Sequence, residues 1–311
     1  MKLRSSRLLR ELRAGQRPTV IKLNLIDPRV VELAGLAGAS AVWLCNEHVP
    51  NDWLNLEHQI RAAKLHDMDT IVRVEKGSYS NYIKPFEADA TAIMVPHVAH
   101  PDEARQIVDM VRCYPMGRKP LDSGNMDGLF GQVPLAEYAT HCNTERLVIL
   151  QIESPEAVEN VDAIAAVPGF DALLFGAGDF SHRVGKLGQI SDPEIVAARK
   201  RVAAAAKKHG KQVMAASLYG QKDMLMAEGT DIFTLGADVI ALGAGFRKMV
   251  ADFGGTGPAP QPGEHRRHGF PMGRDRDGVR PPSVTKGDGP IISAEARAHG
   301  SLPATDANST P

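Results

Sequence analysis

Between residues 41 and 52 the chain reads AVWLCNEHVPND: an apolar run from Ala41 to Leu44 passes through Cys45 and then sets Glu47 beside His48. An imidazole with a carboxylate to orient it is the pair that moves protons near neutral pH, because histidine titrates there. Other apolar runs also end on groups that can do chemistry. Arg73 lies in TIVRV, Gln151 and Glu153 close LVILQIE, and Asp179 follows ALLFGAG. A guanidinium inside a buried run needs a partner for its charge. Two carboxylates, Glu153 and Asp179, without a Cys or His cluster, suit a hard divalent cation that keeps several waters, such as magnesium or manganese. Plainer roles exist for each. Glu153 could be the first-turn acid of a helix opening at Ser154 and Pro155, and Asp179 could cap a turn at Ser181. Glu47 reads either as a group behind a metal's ligands, ordering its water, or as a simple ion-pair partner. His97 and His100, beside MVP, read as loop packing, and His58, His66 and His141 as helix surface.

Such residues act together only if the fold gathers the ends of the runs. The runs are TVIKLNL (19–25), SAVWLC (40–45), TIVRV (70–74), AIMVP (92–96), LVILQIE (147–153), ALLFG (172–176), QVMAAS (212–217) and DVIALG (238–243). Between them lie amphipathic stretches such as PDEARQIVDMVRCY and DPEIVAARKRVAAAAKKHG, whose apolar residues recur at helical spacing. Repeated strand and helix units of this number predict an α/β fold, a (β/α)8 TIM barrel over residues 1–253, with the chemistry at the carboxyl ends of the strands. A doubly wound sheet is the competitor. It is disfavoured because GAGDFS lacks the third glycine of a dinucleotide fingerprint and no Walker lysine motif occurs. The opening MKLRSSRLLREL is charged through its leucines and predicts an N-terminal amphipathic helix rather than a signal peptide.

Composition sets the remaining bounds. The 311 residues carry a formal net charge of -1, which offers no field for nucleic acid or an anionic membrane. Cys45, Cys113 and Cys142 have neither paired nor CxxC spacing, which fits a reducing cytoplasm better than a disulfide framework or structural zinc. Residues 254–311 hold 10 Gly and 9 Pro in 58 positions, too little apolar surface to offset ordering, and are expected to form a disordered tail.

Taken in order, NEHVPND, IVRV, IMVPHV, LQIESPEAVENV and FGAGDFS resemble the HpcH/HpaI aldolase family, metal-dependent pyruvate aldolases, over nearly all of residues 8–253. The resemblance implies that Glu153 and Asp179 bind a divalent metal (Mg2+, Mn2+ or Co2+), and that Arg73 holds the keto oxygen and its developing enolate charge. It further implies that His48 is the base, that Gln151 lines the pocket, and that the backbone amides around Gly178 and Asp179 hold the pyruvate carboxylate. Glu87 matches the position of a carboxylate that a neighbouring subunit lends to the histidine. A homo-oligomer follows, expected as a hexamer built from a trimer of dimers, with the apolar face of Phe246, Met249, Val250 and Phe253 buried in it. Three departures stand out. Cys45 replaces an aspartate common in the family, Lys22 stands where an apolar or aromatic residue is usual, and the loop after Tyr114 and Pro115 leaves Arg118 as its one basic candidate for substrate contact. Lys22 either reaches into the pocket to meet a second carboxylate or snorkels outward.

Four readings of function follow. The leading one is cleavage of a 4-hydroxy-2-oxo acid to pyruvate and an aldehyde through a metal-stabilised enolate. A second decarboxylates oxaloacetate and passes the enolate to another acceptor, as macrophomate synthase of the same superfamily does. A third is a non-catalytic barrel scaffold, and a fourth is Schiff-base chemistry on Lys22, which would leave the carboxylate pair without a purpose.

Overall fold

Eight parallel strands close on themselves in chain order, with β8 pairing back to β1. The structure is a computed structural model that describes residues 2–216 and 221–255. Helix α1 (Arg7–Arg13) precedes β1 (Thr19–Lys22). The chain continues through α2 (Pro28–Leu36), β2 (Ala41–Cys45), α3 (Trp53–Lys64), β3 (Asp69–Arg73), α4 (Tyr79–Glu87), β4 (Ala92–Val95), α5 (Pro101–Val111) and α6 (Leu135–Thr144). The second half contains β5 (Leu147–Ile152), α7 (Pro155–Glu159), α8 (Val161–Ala165), β6 (Ala172–Phe175), α9 (Ala177–Arg183) and α10 (Pro193–Lys208). It ends with β7 (Gln212–Ala216), α11 (Lys222–Ala227), β8 (Ile232–Ala237) and α12 (Asp238–Asp252). The expected tail lies outside the described residues from 256 onward.

The strands read as unbroken apolar runs because both of their faces are covered. Ala41 and Trp43 point into the barrel with Ile71, Met94, Ile149 and Leu174, while Val42 and Leu44 point outward into the layer beneath the helices. Polar caps then start several of the helices. Asp27, Asp52, Ser78, Ser154 and Asp192 each accept from a backbone N–H of the following first turn, and proline occupies the start of α2, α7 and α10.

The N-terminal helix forms as expected and closes the amino end of the barrel. Leu8 is fully buried among the interior strand residues. Asp69 at the start of β3 holds this plug: its carboxylate accepts from Ser6 Oγ at 2.7 Å and the Leu8 backbone N–H at 2.9 Å, and it pairs with Arg4. With that end stoppered, the carboxyl ends of the strands form the mouth.

The last unit corrects the reading from sequence. DVIALG (238–243) is not the eighth strand but the start of α12; β8 is the preceding IFTLGA. Both segments are apolar, and a short apolar run does not by itself separate strand from helix. Asp238 fixes the corner between them. Its carboxylate accepts from the backbone N–H groups of Asn24 and Leu25, each at 2.9 Å, and of Val239 at 2.7 Å.

Candidate active site

Register places Cys45 of β2 opposite Arg73 of β3, at the mouth. The guanidinium is 5% exposed and donates from Nε and Nη2 to Cys45 Sγ at 3.4 and 3.1 Å. Glu47 supplies the counter-charge that a buried arginine requires, with Oε2 3.0 Å from Arg73 Nε. Beneath them the Trp43 ring lies 5.0 Å from the guanidinium carbon.

From Glu47 the polar contacts run to the opposite wall through one histidine. His97, just after β4, places Nε2 3.2 Å from Glu47 Oε1 and Nδ1 2.8 Å from Glu153 Oε1. Its backbone N–H also donates to Glu153 Oε1 at 2.7 Å, from a residue held at φ +55°. This overturns the expectation that His97 only packs a loop. The signal that singled out Glu47, a polar group directly after a strand, applies to His97 as well, but the proline between it and the run masks it. His100 does pack its loop, capping α5 and meeting Glu156 at 3.0 Å.

Glu153 follows β5 on the same inward face as Gln151, which donates to it from Nε2. It is 1% exposed. Burial pushes its pKa up to about 7 against the pull of the His97 N–H, and neighbouring Asp179 and Glu47 add to the rise. Across from it stands Gly176, where a Cβ would lie 2.5 Å from Glu153 Oε2 and 2.7 Å from its Cβ, so only glycine lets the strand pass so close. Gly178 is different, since a Cβ there would meet nothing within 4 Å. Gly178 and Asp179 form the exposed first turn of α9, whose N-cap Gly176 offers its amides no side chain. Ser181, once a candidate for capping by Asp179, instead donates to the Gly178 carbonyl at 2.7 Å.

Trp43, Arg73, Gln151, Gly178 and Asp179 line one cavity of about 340 Å³ that runs from the mouth between β6, β7 and α10. His48 stands beside this group: its ring is 59% exposed, with Nε2 3.6 Å from Glu47 Oε2. Glu87 is not brought to it within the chain. It ends α4 at the far side from the mouth, where Lys119, Asp127, Asp122 and Lys84 are its charged neighbours. Arg118 is likewise elsewhere, bound to Asp109 at 2.7 Å.

A divalent cation would meet a pair of carboxylates here. Among the described residues no group of three or more His, Cys, Asp or Glu converges into a metal cage. Asp179 nonetheless forms no ion pair among the described residues, the only ion-pair partner of Glu153 among them is the His97 imidazole, and the buried Gln151 Oε1 has no hydrogen-bond partner. That donor set fits a hard cation that fills its remaining positions with water and substrate oxygens.

A closed parallel barrel with acids, an arginine and imidazoles gathered at its carboxyl mouth defines an enzyme of the (β/α)8 class. The model of the HpcH/HpaI aldolase/citrate lyase family matches residues 20–243, and the chain belongs to that family. It is 29% identical over 264 residues to a hydroxypyruvate/pyruvate aldolase of Pseudomonas aeruginosa, covering 84% of this chain and 97% of that one. It is 34% identical over 187 residues to a 5-keto-4-deoxy-D-glucarate aldolase of Klebsiella pneumoniae, covering 60% and 72%. The crystal structure of an HpcH/HpaI aldolase from Desulfitobacterium hafniense superposes with a TM-score of 0.76 at 25% identity, over 81% of this chain and 98% of that one. The chain is therefore an enzyme of the aldolase, carbon–carbon lyase type, and the scaffold reading falls.

Proposed function

We propose that the protein cleaves a 4-hydroxy-2-oxo acid to pyruvate and an aldehyde, and runs the reverse addition, with a divalent metal at Glu153 and Asp179. The observation that carries this is the buried Glu153 carboxylate with a second carboxylate, Asp179, beside it at the edge of the cavity that Arg73 and Gln151 line; a purely structural barrel would have no reason to bury an acid next to another acid. The metal, when bound, supplies Lewis acidity to the oxygens of the 2-oxo acid. Arg73 donates to the C2 oxygen, where negative charge develops as the bond breaks, and Glu47 and Cys45 hold the guanidinium in place for it. Gln151 bounds the pocket, and the Gly178 and Asp179 amides receive the carboxylate. In cleavage, the C4 hydroxyl proton leaves to water and the C3–C4 pair collapses toward the C2 oxygen. His48 returns a proton to C3; in addition it removes one from the methyl group.

Cys45 favours one alternative use of the same enolate. With no aspartate there to handle the acceptor end, decarboxylation of oxaloacetate followed by transfer to another acceptor is the second reading. One assay separates them: pyruvate release from a panel of 4-hydroxy-2-oxo acids and from oxaloacetate, with EDTA or with added magnesium, manganese or cobalt. Metal-dependent cleavage of the hydroxy acids, lost in Glu153→Ala and Asp179→Ala, is the expected result. Full activity in excess EDTA would remove the metal from the account. Partners are then small 2-oxo acids and aldehydes, and among the described residues no helix is long and apolar enough to cross a membrane.

A further inference from the structure

Lys22 is a cation at the mouth that the proposed reaction leaves without a task and that forms no ion pair among the described residues. It ends β1 two residues after Val20, whose side chain is part of the barrel interior, and so shares that inward face. Its ammonium lies 5.4 Å from the centroid of the Trp43 ring, the ring whose other neighbour is Arg73. The side chain therefore reaches inward and does not snorkel to the outside.

Among the described residues Lys22 Nζ makes no ion pair or hydrogen bond. Asp238 stands next to it across the β1–β8 pairing, yet both of its oxygens are taken by the backbone N–H groups of Asn24, Leu25 and Val239. Glu47 is engaged by Arg73 and His97. Cys45 sits one strand away, with its sulfur already accepting from Arg73. Burial and the Arg73 guanidinium lower the lysine's pKa, against the opposing pull of Cys45, Asp238 and Glu47.

The position is also the informative one. β1 lies across the barrel from β5 and β6, which carry Gln151, Glu153 and Asp179. A substrate held by its 2-oxo-acid end at that wall extends its C4 side across the mouth, over Trp43, toward β1 and β2. We infer that Lys22 is a specificity-determining residue that receives a carboxylate on the aldehyde-forming half of the substrate, so that the preferred substrates are 4-hydroxy-2-oxo diacids and the aldehyde released is an oxo acid. This rests on the aldolase reading and names its substrate class.

Two measurements test it, one of them independent of turnover. Pyruvate release is compared for 4-hydroxy-2-oxoglutarate and 4-hydroxy-2-oxopentanoate, which differ at the C4 end by a carboxylate against a methyl. Calorimetry compares the binding of 2-oxoglutarate with that of 2-oxopentanoate to the same protein. The expected wild-type preference for the diacid falls about tenfold in Lys22→Met and Lys22→Gln, the scale of one charge-assisted hydrogen bond, mainly through KM, and is kept in Lys22→Arg. Unchanged diacid preference in Lys22→Met, in either measurement, overturns the assignment, as does equal binding of the two oxo acids to the wild type. Borohydride trapping of a substrate carbonyl on Lys22 also overturns it, by making the lysine a nucleophile. If no hydroxy acid is cleaved, the aldolase reading fails, while the binding comparison still decides for or against Lys22.

Discussion

Gly176 ties the polypeptide path to the chemistry more tightly than any charged residue of the site. The space its missing Cβ leaves is filled by the Glu153 carboxylate, with 2.5 Å between the built Cβ and Oε2. Gly176→Ala forces that carboxylate to move, and a displacement on the order of 1 Å at a reacting centre costs about 100-fold in rate. We expect kcat/KM to fall by about that factor while the stability loss stays within the roughly 1–3 kcal/mol of an overpacked site. Gly178→Ala is the contrast, because its Cβ would meet no protein atom, so its effect should fall on KM. Equal, small losses in both variants would show that Glu153 tolerates displacement. At this scale the sequence was readable where a candidate side chain stood at or just after the end of an apolar run: Glu47, Arg73, Gln151, Glu153 and Asp179 all stand at the mouth. It was unreadable for His97, whose role depends on two acids from other strands, 50 and 56 positions away in the chain.

At the scale of elements, α6 shows what helical periodicity conceals. His141 was read as a surface residue of this helix, but it is half-buried, and burial together with Arg146 holds its pKa at about 4, below the ordinary 6.5. Between these values the unfolded chain binds a proton that the folded chain refuses, so the stability contributed by neutral His141 is present above pH 6.5 and is lost as pH falls toward 4. Glu153 has the opposite slope, since its raised pKa makes the folded chain the better proton binder. The His141 effect is therefore read as a difference. Thermal melts of wild type and His141→Gln across this window should converge at the acid end, with the wild type losing more Tm on acidification; parallel curves would show that His141 stays protonated in the fold. The error at the eighth strand has the same origin. Seven strands could be placed from apolar runs alone because helices of clear periodicity separate them, whereas β8 runs directly into α12 with no loop, and only the long-range contacts of Asp238 mark the boundary.

At the scale of the molecule, two features of one chain point to others. Phe246, Met249, Val250 and Phe253 all lie exposed on or just after α12, an apolar surface of the kind that isolated soluble barrels rarely leave bare. Glu87, proposed from the family resemblance as a carboxylate shared between subunits, has no contact with His48 among the described residues and lies half-buried among Trp53, Lys84 and Phe130 in a second cavity. Closed symmetric assembly would cover the first and bring the second to a neighbour's mouth. We expect a hexamer, with each site completed by the adjacent subunit. His48→Ala and Glu87→Ala should each slow methyl-proton exchange of pyruvate without loosening the metal. Mixed after dissociation, the two inactive proteins should regain part of the exchange, because some interfaces then join an intact His48 to an intact Glu87. Independent sites would give no recovery on mixing. A fully active monomer by light scattering would end the proposal outright, and would require His48 to be oriented by Glu47, the carboxylate paired with it among the described residues.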